Sequence, residues 1–333
     1  MAEITYPISD SGENLVSIVM PVRNGMPYLP LSIESLLNQT YRAFEIIVVD
    51  DGSSDGTSDY LKRIADPRLR VIRHETGKGI VAALNSGIAE AKGEFIARQD
   101  ADDLSAHDRI GCQVEFLRKH SGVAVVASHV NFIAEDGSVF EDQWTREVRR
   151  LHDPAISSDD LRRLLPLTCC IAHGSIMARK TALLAAGGYR TDFEWAEDYD
   201  LWLRLLPDYQ FAKIPRQLYS YRVHNTQVSA EKRHDQIRNC LRSKLAYLRR
   251  SHPHLPPVLR TWIQGENLGA EMYRALLSEF SLVELPLTFE GASAECDLIV
   301  VTEFNRLDEF ESMLSSGERE WSRTGNFFLN LMA

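Results

Sequence analysis

A chain of 333 residues has room for one large domain with an appendage, or for two domains. Hydrophobic residues make up 44% and charged residues 25%, an ordinary globular composition. The net charge of −10 argues against a nonspecific nucleic-acid binder, which carries a basic patch, and an acidic protein that holds an anionic substrate needs a local cation such as a metal. No apolar run approaches the ~20 residues that a transmembrane helix needs. Residues 1–10 lack a basic segment followed by an apolar core, so no signal peptide is expected. Cysteines at 112, 169, 170, 240 and 296 include no Cys-x-x-Cys, which favours neither a zinc site nor a disulfide framework. A cytoplasmic location with reduced thiols is the expectation.

In chain order, residues 15–20 form a near-continuous apolar run, the mark of a strand buried on both faces. Pro21-Val22-Arg23-Asn24-Gly25 ends it with turn residues. Leu29, Ile33, Leu36 and Leu37 then recur near helical spacing over 27–38. A second buried strand over 44–49 runs into Asp50-Asp51-Gly52-Ser53-Ser54-Asp55-Gly56, whose Ser and Asp can cap a helix at 56–65. A third strand covers 69–73, a helix 78–91, and a fourth strand 95–97.

That strand–helix alternation predicts an α/β fold with a mostly parallel central sheet flanked by helices and right-handed crossovers. Ligands in such sheets sit outside the carboxyl ends of the strands. The polar clusters at 21–25, 50–56 and 99–103 all follow strand ends, so they should line one edge and form a nucleotide pocket, although βα loops are polar in any case. The glycines match neither the dinucleotide nor the P-loop pattern.

Gln99-Asp100-Ala101-Asp102-Asp103 is the stretch with most chemistry in it. Read as a strand end, it turns Asp100 and Asp102 to one face and Asp103 to the other. Two strand residues span roughly 6.6 Å, wide for two carboxylates on one ion. One carboxylate on a cation and the other on a water or a ribose hydroxyl is the better reading, and Mg²⁺ is typically held by one or two carboxylates plus substrate phosphates. The bland alternative is a solvated acidic loop.

Beyond 120 the expected strands are 123–127, 130–133, 170–178 (broken by His173-Gly174-Ser175), 210–214 and 217–223, with a mixed polar stretch at 142–168. Around 196–206 a helix shows a broad apolar face of Tyr199, Leu201, Trp202, Leu203, Leu205 and Leu206. Asp198 falls within that face, where burial raises a carboxyl pKa towards values useful to a base. Capping its own helix or pairing with an arginine is the structural alternative. Glu197, Asp200 and Arg204 fall opposite, and Asp200 with Arg204 suits a solvated side. Residues 229–333 read as helical, over 231–250, 257–281 and 304–315.

Several of these motifs, taken in order, resemble the family 2 glycosyltransferases of GT-A (nucleotide-diphospho-sugar transferase) fold. They are residues 16–24, Ser35-Leu36-Leu37-Asn38-Gln39-Thr40, residues 44–57, Gly93-Glu94-Phe95-Ile96-Ala97 before the Asp-x-Asp, Ala196-Glu197-Asp198-Tyr199-Asp200, and Tyr221-Arg222-Val223-His224-Asn225. The resemblance covers roughly 14–228. It implies a glycosyltransferase domain over 1–228, with a nucleotide-binding half (about 14–120) and an acceptor half (about 121–228), and a helical C-terminal extension over 229–333. It implies that Asp51 holds the nucleotide base with Pro21 and Asn24 nearby, and that Asp100 faces the ribose or a metal-bound water. Asp102 binds Mg²⁺ or Mn²⁺, His224 helps at the metal or the phosphates, Lys78 meets the phosphates, and Asp198 is the catalytic base. His224 as a satisfied turn histidine, His173 as a structural residue and Arg204 as a structural residue are the plain readings beside these.

The implied reaction moves a sugar from a UDP- or GDP-sugar to a hydroxyl of a saccharide or lipid-linked saccharide, in polysaccharide or glycoconjugate synthesis. A single base opposite the leaving group implies inversion. A lipid-linked acceptor would call for peripheral docking at the inner face of the membrane, and 229–333 is the region for that or for homodimerisation. Two rivals stand beside this reading: a nucleotidyltransferase, disfavoured because only Arg23 is basic in the loop after the first strand, and an inactive nucleotide-sugar-binding or scaffolding domain.

Overall fold

The computed structural model describes residues 14–153, 157–166, 168–224, 232–254, 256–264, 274–275, 277–284, 298–301 and 327–330. Along the chain run β1 (Val16–Val22), α1 (Leu29–Leu37), β2 (Phe44–Asp51), α2 (Thr57–Leu61), β3 (Leu69–His74), α3 (Ile80–Glu90), β4 (Phe95–Arg98), β5 (Leu104–Ser105), α4 (Arg109–Lys119), β6 (Val123–Ile133) and α5 (Gln143–His152). After them come α6 (Ser158–Leu164), β7 (Met177–Arg179), α7 (Lys180–Ala185), α8 (Glu197–Leu205), β8 (Gln210–Arg222), α9 (Arg233–Ser251), β9 (Leu259–Gln264), β10 (Leu282–Glu284), β11 (Leu298–Val301) and β12 (Phe327–Asn330). Packing divides the chain into two units, one of Met1–Ser157, Ile171–Tyr189 and Tyr209–His224, the other of Ser158–Cys170, Arg190–Asp208 and Asn225–Ala333. Segments 158–170 and 190–208, inside the expected 1–228 domain, thus group with the C-terminal residues.

The first unit is built on an eight-stranded sheet of order β3-β2-β1-β4-β7-β6-β8-β5. Strands β1 to β4, β6 and β8 share one direction, while β7 and β5 run against it. The mostly parallel α/β sheet expected from the sequence is therefore present. Val16 to Met20 are all buried, as a continuous apolar run on a two-sided sheet requires. Buried Ser17 is tolerated because its Oγ donates to Glu45 Oε1 at 2.6 Å and accepts the Gly93 N–H at 2.8 Å. Helix α1 carries Pro30 in its first turn, where no N–H is needed, and buries Leu29, Ile33 and Leu36 against β1 and β2 side chains such as Ile18, Met20, Ile46 and Val48.

Several expected boundaries shift. The strand pairs 123–127 with 130–133, and 210–214 with 217–223, are continuous strands β6 and β8, paired in parallel with register shifts at Ser128/His129 and His129/Val130. Partner residues step from Ile214 to Gln217 on β8 while β6 advances one residue, so β8 bulges there and continues. The expected strand over 170–178 is a 3₁₀ turn at His173–Ser175 followed by β7. The polar stretch 142–168 supplies α5, opened by a reciprocal Asp142–Thr145 capping box, and α6.

In the second unit, α9 packs along α8 and realises the helix expected over 231–250. Within the helix expected over 257–281, β9 occupies 259–264 in a parallel four-stranded sheet of order β10-β9-β11-β12, residues 274–275 are helical, and 265–273 and 276 lie outside the described residues. Local apolar spacing had suggested helix there, but non-local strand pairing decides the outcome. The helix expected over 304–315 lies outside the described residues, as does Asn225 of the closing motif.

Candidate functional site

The order β3-β2-β1-β4 places a switch point between β1 and β4, and the loops after β1, β2 and β4 meet at its carboxyl edge. Asn24, in the left-handed conformation (φ 55°) that asparagine tolerates, accepts the Ser54 N–H on Oδ1 at 2.9 Å and gives its own N–H to Ser53 Oγ. Gly25 and Met26 donate their N–H groups to Thr57 Oγ1 and Asp55 Oδ2. The loop after β1 is thereby tied to the loop after β2. Pro21 lies within β1, opposite Val49.

Asp51 ends β2 with a buried carboxylate. It accepts the Lys78 N–H at 2.9 and 3.0 Å and the Gly79 N–H at 2.9 Å, and its Oδ1 lies 2.6 Å from His74 Nδ1. Burial pushes its carboxyl up, but the two N–H groups and His74 more than offset this and hold it below the usual range. His74 Nε2 in turn faces Ser86 Oγ at 3.1 Å. Lys78 therefore anchors through its backbone, while its side chain is exposed. Gly52 (φ 74°) follows at a close approach: a Cβ there would stand 2.8 Å from Gly77 N.

Beyond β4 the chain turns rather than extending, with Asp103 N bonding back to Asp100 O at 3.4 Å. The strand alternation expected for Asp100 and Asp102 does not apply, because β4 ends at Arg98. Asp100 pairs with buried Arg98 at 2.7 Å and meets Tyr219 Oη at 3.3 Å. Burial raises the Asp100 carboxyl and the Asp102 charge adds to this, against the Arg98 cation, for a net upward shift. Arg98 Nε and Nη1 are buried without a hydrogen-bond partner among the described residues. Gly174 closes over this pair, since a Cβ there would collide with Tyr219 Oη and Asp100 Oδ2. Beneath lies Arg109, fully buried, donating to Gln99, Ser105, Gln113 and the Arg98 and Ile176 carbonyls.

Asp102 sits at the outer corner with its side chain 36% exposed, its Oδ2 3.0 Å from His224 Nε2. The His224 ring lies 5.2 Å from that of Tyr28. Arg222, buried two residues before His224, fixes the arrangement. Its Nε donates to Asp102 O (2.8 Å), its Nη1 to Ala134 O and Glu135 O (both 2.9 Å), and its backbone N–H to Asp103 Oδ1 (2.7 Å). The sequence pointed to Asp102 and His224 but not to Arg222 as the link between them. An arginine two before a histidine in a strand is an unremarkable local signal.

Among the described residues, no group of three or more His, Cys, Asp or Glu could hold a metal ion. One carboxylate oxygen and one imidazole nitrogen 3.0 Å apart at a half-exposed corner fit a hard divalent cation whose remaining ligands come from phosphate and water. His173, by contrast, bonds Tyr189 Oη through Nε2 at 2.8 Å. Burial and the Arg98 cation hold it well below the usual histidine range, in keeping with a structural role.

Asp198 belongs to the second unit. It is half-buried in the first turn of α8 and accepts the adjacent Tyr199 N–H on Oδ1 at 2.6 Å. The expectation that Glu197, Asp200 and Arg204 face solvent is overturned. Glu197 and Asp200 are buried, and Asp200 is clamped between Arg204 (2.8 Å) and Arg190. The reason is that α8 is covered on more than its apolar face: α9 lies along it and Arg190 reaches back from the preceding loop. That loop is held by α9 through Asn239 to Glu194 O (2.8 Å) and Arg242 to Asp192 O (2.6 Å). Phe193 is packed between the Arg190 and Arg242 guanidiniums, at 4.2 and 4.7 Å from its ring centre. Trp195, next in the loop but one, has φ 74°, a conformation that costs a bulky residue on the order of 1–3 kcal/mol.

The glycosyl transferase family 2 model matches residues 17–185, about half of the chain. The chain belongs to that family. The O-antigen biosynthesis glycosyltransferase WbnJ of Escherichia coli is 32% identical over 225 residues, covering 65% of this chain and 84% of WbnJ. The E. coli UDP-Glc:alpha-D-GlcNAc-diphosphoundecaprenol beta-1,3-glucosyltransferase WfaP is 31% identical over 232 residues, covering 69% and 86%. Among solved structures, the mannosyltransferase PcManGT from Pyrobaculum calidifontis, in complex with GDP-Man and Mn²⁺, aligns with a TM-score of 0.56 at 18% identity, covering 94% of this chain and 83% of that one. The protein is thus a family 2 glycosyltransferase of GT-A fold, with relatives in O-antigen synthesis. No described helix is long and apolar enough to cross a membrane.

Proposed function

We propose that this glycosyltransferase is metal-dependent and inverting, and that it moves a sugar from a UDP- or GDP-sugar to a hydroxyl of a saccharide or lipid-linked saccharide. The observation that carries the reading is the Asp102–His224 pair, 3.0 Å apart at the carboxyl edge of the sheet's switch point. Support for the donor class comes from the UDP-Glc in the name of WfaP and the GDP-Man bound to PcManGT. The GlcNAc-diphosphoundecaprenol in the name of WfaP supports a lipid-linked acceptor. Reaching such an acceptor calls for peripheral docking at the cytoplasmic membrane face, for which residues 229–333 are the candidate. Self-association through that region is the other outcome that vesicle co-sedimentation and sizing would separate.

In this reading Asp102 and His224 hold Mg²⁺ or Mn²⁺. When bound, the cation neutralises charge on the leaving diphosphate as a Lewis acid. Asp51, Pro21 and Asn24 receive the nucleotide base, with the Asp51 carboxylate oriented by its bonds to residues 74–79. Asp100 receives the ribose or a metal-bound water, and its pairing to Arg98 fixes where it points. The exposed Lys78 side chain is available to the phosphates. Asp198 accepts the proton of the acceptor hydroxyl as that oxygen attacks the anomeric carbon and the nucleoside diphosphate departs with the bonding pair. One displacement inverts the anomeric centre.

A thermal-shift panel of UDP- and GDP-sugars with Mn²⁺, and again with EDTA, tests donor and metal together. Stabilisation should depend on Mn²⁺ and be lost in Asp102→Ala. Asp198→Asn should abolish transfer while donor affinity stays within about a few fold, since only the proton acceptor is removed. A fully active Asn variant would exclude Asp198 as base. Donor binding without turnover in the native protein would instead favour the inactive binding module.

A further inference from the structure

The loop Thr191 to Ala196 is held through two backbone carbonyls and the Phe193 ring. Arg242 and Asn239 of α9 fasten the carbonyls of Asp192 and Glu194, and Phe193 is buried between two guanidiniums. Trp195 follows the second of these carbonyls. Its backbone is forced into the left-handed region at φ 74°, where a tryptophan gains nothing by itself. Yet its indole is only half-buried and makes no hydrogen bond, ion pair or ring contact among the described residues. A strained backbone over-determined by its neighbours, carrying a large side chain with no internal polar partner, is a feature kept for something outside the fold. The side chain is an indole, which offers a wide apolar face and one N–H donor. It stands three residues before Asp198 on the same continuous segment.

The geometry points to Trp195 as the platform on which the acceptor's sugar ring stacks, its face against the C–H face of the pyranose and its N–H free for a ring hydroxyl. This rests on the reading of Asp198 as the base that the acceptor hydroxyl approaches. The clamp by α9 then has a use: it holds the platform at a fixed offset from the helix that carries the base. Residues 239 and 242 lie outside the stretch matched by the family model, so the platform's support is supplied by the C-terminal region of this chain.

The test is saturation-transfer NMR on the full chain with UDP and Mn²⁺, using the methyl glycosides of glucose, galactose, mannose and N-acetylglucosamine as probes. At least one glycoside should show transfer with the wild type. That signal should fall about fivefold in Trp195→Ala and largely survive in Trp195→Tyr, which keeps an aromatic face. UDP binding should be unchanged in both, which controls for folding. Asp198→Asn should keep the glycoside signal and lose sugar transfer. An Asn variant that still transfers sugar would remove the base assignment and leave the glycoside result standing. The platform is overturned if no glycoside binds the wild type, or if Trp195→Ala lowers the melting temperature but leaves the glycoside signal intact.

Discussion

Replacing Arg222 by methionine keeps the apolar stem and removes the guanidinium. Of the three carbonyls it serves, Ala134 O also accepts the Gly137 N–H, so two, Asp102 O and Glu135 O, lose the side-chain donor described for them. Hydrogen bonds to a charged donor are worth about 1.5–3 kcal/mol each, so the pair sums to roughly 3–6 kcal/mol. The cation over the Tyr28 ring, 4.8 Å away, adds about 1 kcal/mol. Water can reach the half-exposed Asp102 corner and recover part of this, leaving a local loss of about 3–5 kcal/mol. Because the chain has two units, a global unfolding midpoint is the wrong observable. Hydrogen exchange by mass spectrometry reads the opening of residues 99–105 and 133–139 directly, and 3 kcal/mol corresponds to exchange about 150-fold faster in those peptides. Arg222→Lys should recover little, because a point donor cannot reach both carbonyl groups at once. Exchange within about threefold of the wild type in both peptides would refute the clamp.

Asp200→Ala should be among the most destabilising changes in α8, at about 3–5 kcal/mol, because it removes the buried carboxylate that the Arg190 and Arg204 guanidiniums share; hydrogen exchange in the α8 peptides within about threefold of the wild type would return Asp200 to the surface. For Asp51 the folded pKa is depressed, so its contribution is complete above the unfolded value of about 3.9 and is lost as pH falls through the lower folded value. The 74–79 loop should therefore stay closed at pH 5 and open below about pH 4, an opening that exchange in that loop detects and that should be present at every pH in Asp51→Ala. Loss of closure already complete at pH 5 would contradict the sign. Calorimetric titration of Mn²⁺ should give affinity at least about tenfold higher with saturating UDP or GDP than without, because the described residues offer two candidate ligands, Asp102 and His224. Equal affinities would mean that the cation site is made of protein alone.

The sheet was legible because β1 and β2 are buried on both faces and say so residue by residue, and because polar loops after parallel strands have only one edge to go to. Asp102 and His224, 122 residues apart, were legible only through the family's motif order; nothing local in either sequence neighbourhood says they meet. Period-3.6 reasoning placed the apolar face of α8 but assigned Asp200 to water, because a single helix's periodicity carries no record of the second layer, α9, that covers it. The β6–β8 pair was split in two at Ser128 because a bulge looks like a loop when strand alternation is the only guide. Trp195 gave no signal at all: left-handed geometry at a tryptophan is imposed by the contacts of its neighbours and leaves no compositional trace.

The bulge in β8 also sets a ruler. Strand β8 begins beside Val123 and delivers His224 to Asp102 only after spending unpaired residues at Pro215 and Arg216. A shortened chain lacking those two residues would set Gln217 directly after Ile214, opposite consecutive Ser128 and His129, so the strand would lose its kink while the imidazole kept its place beside the carboxylate. In aligning this protein with a relative that has a straight strand here, the matching histidine should be sought earlier in the sequence by the length of the kink, and a gap placed anywhere else in the strand would pair the wrong residues.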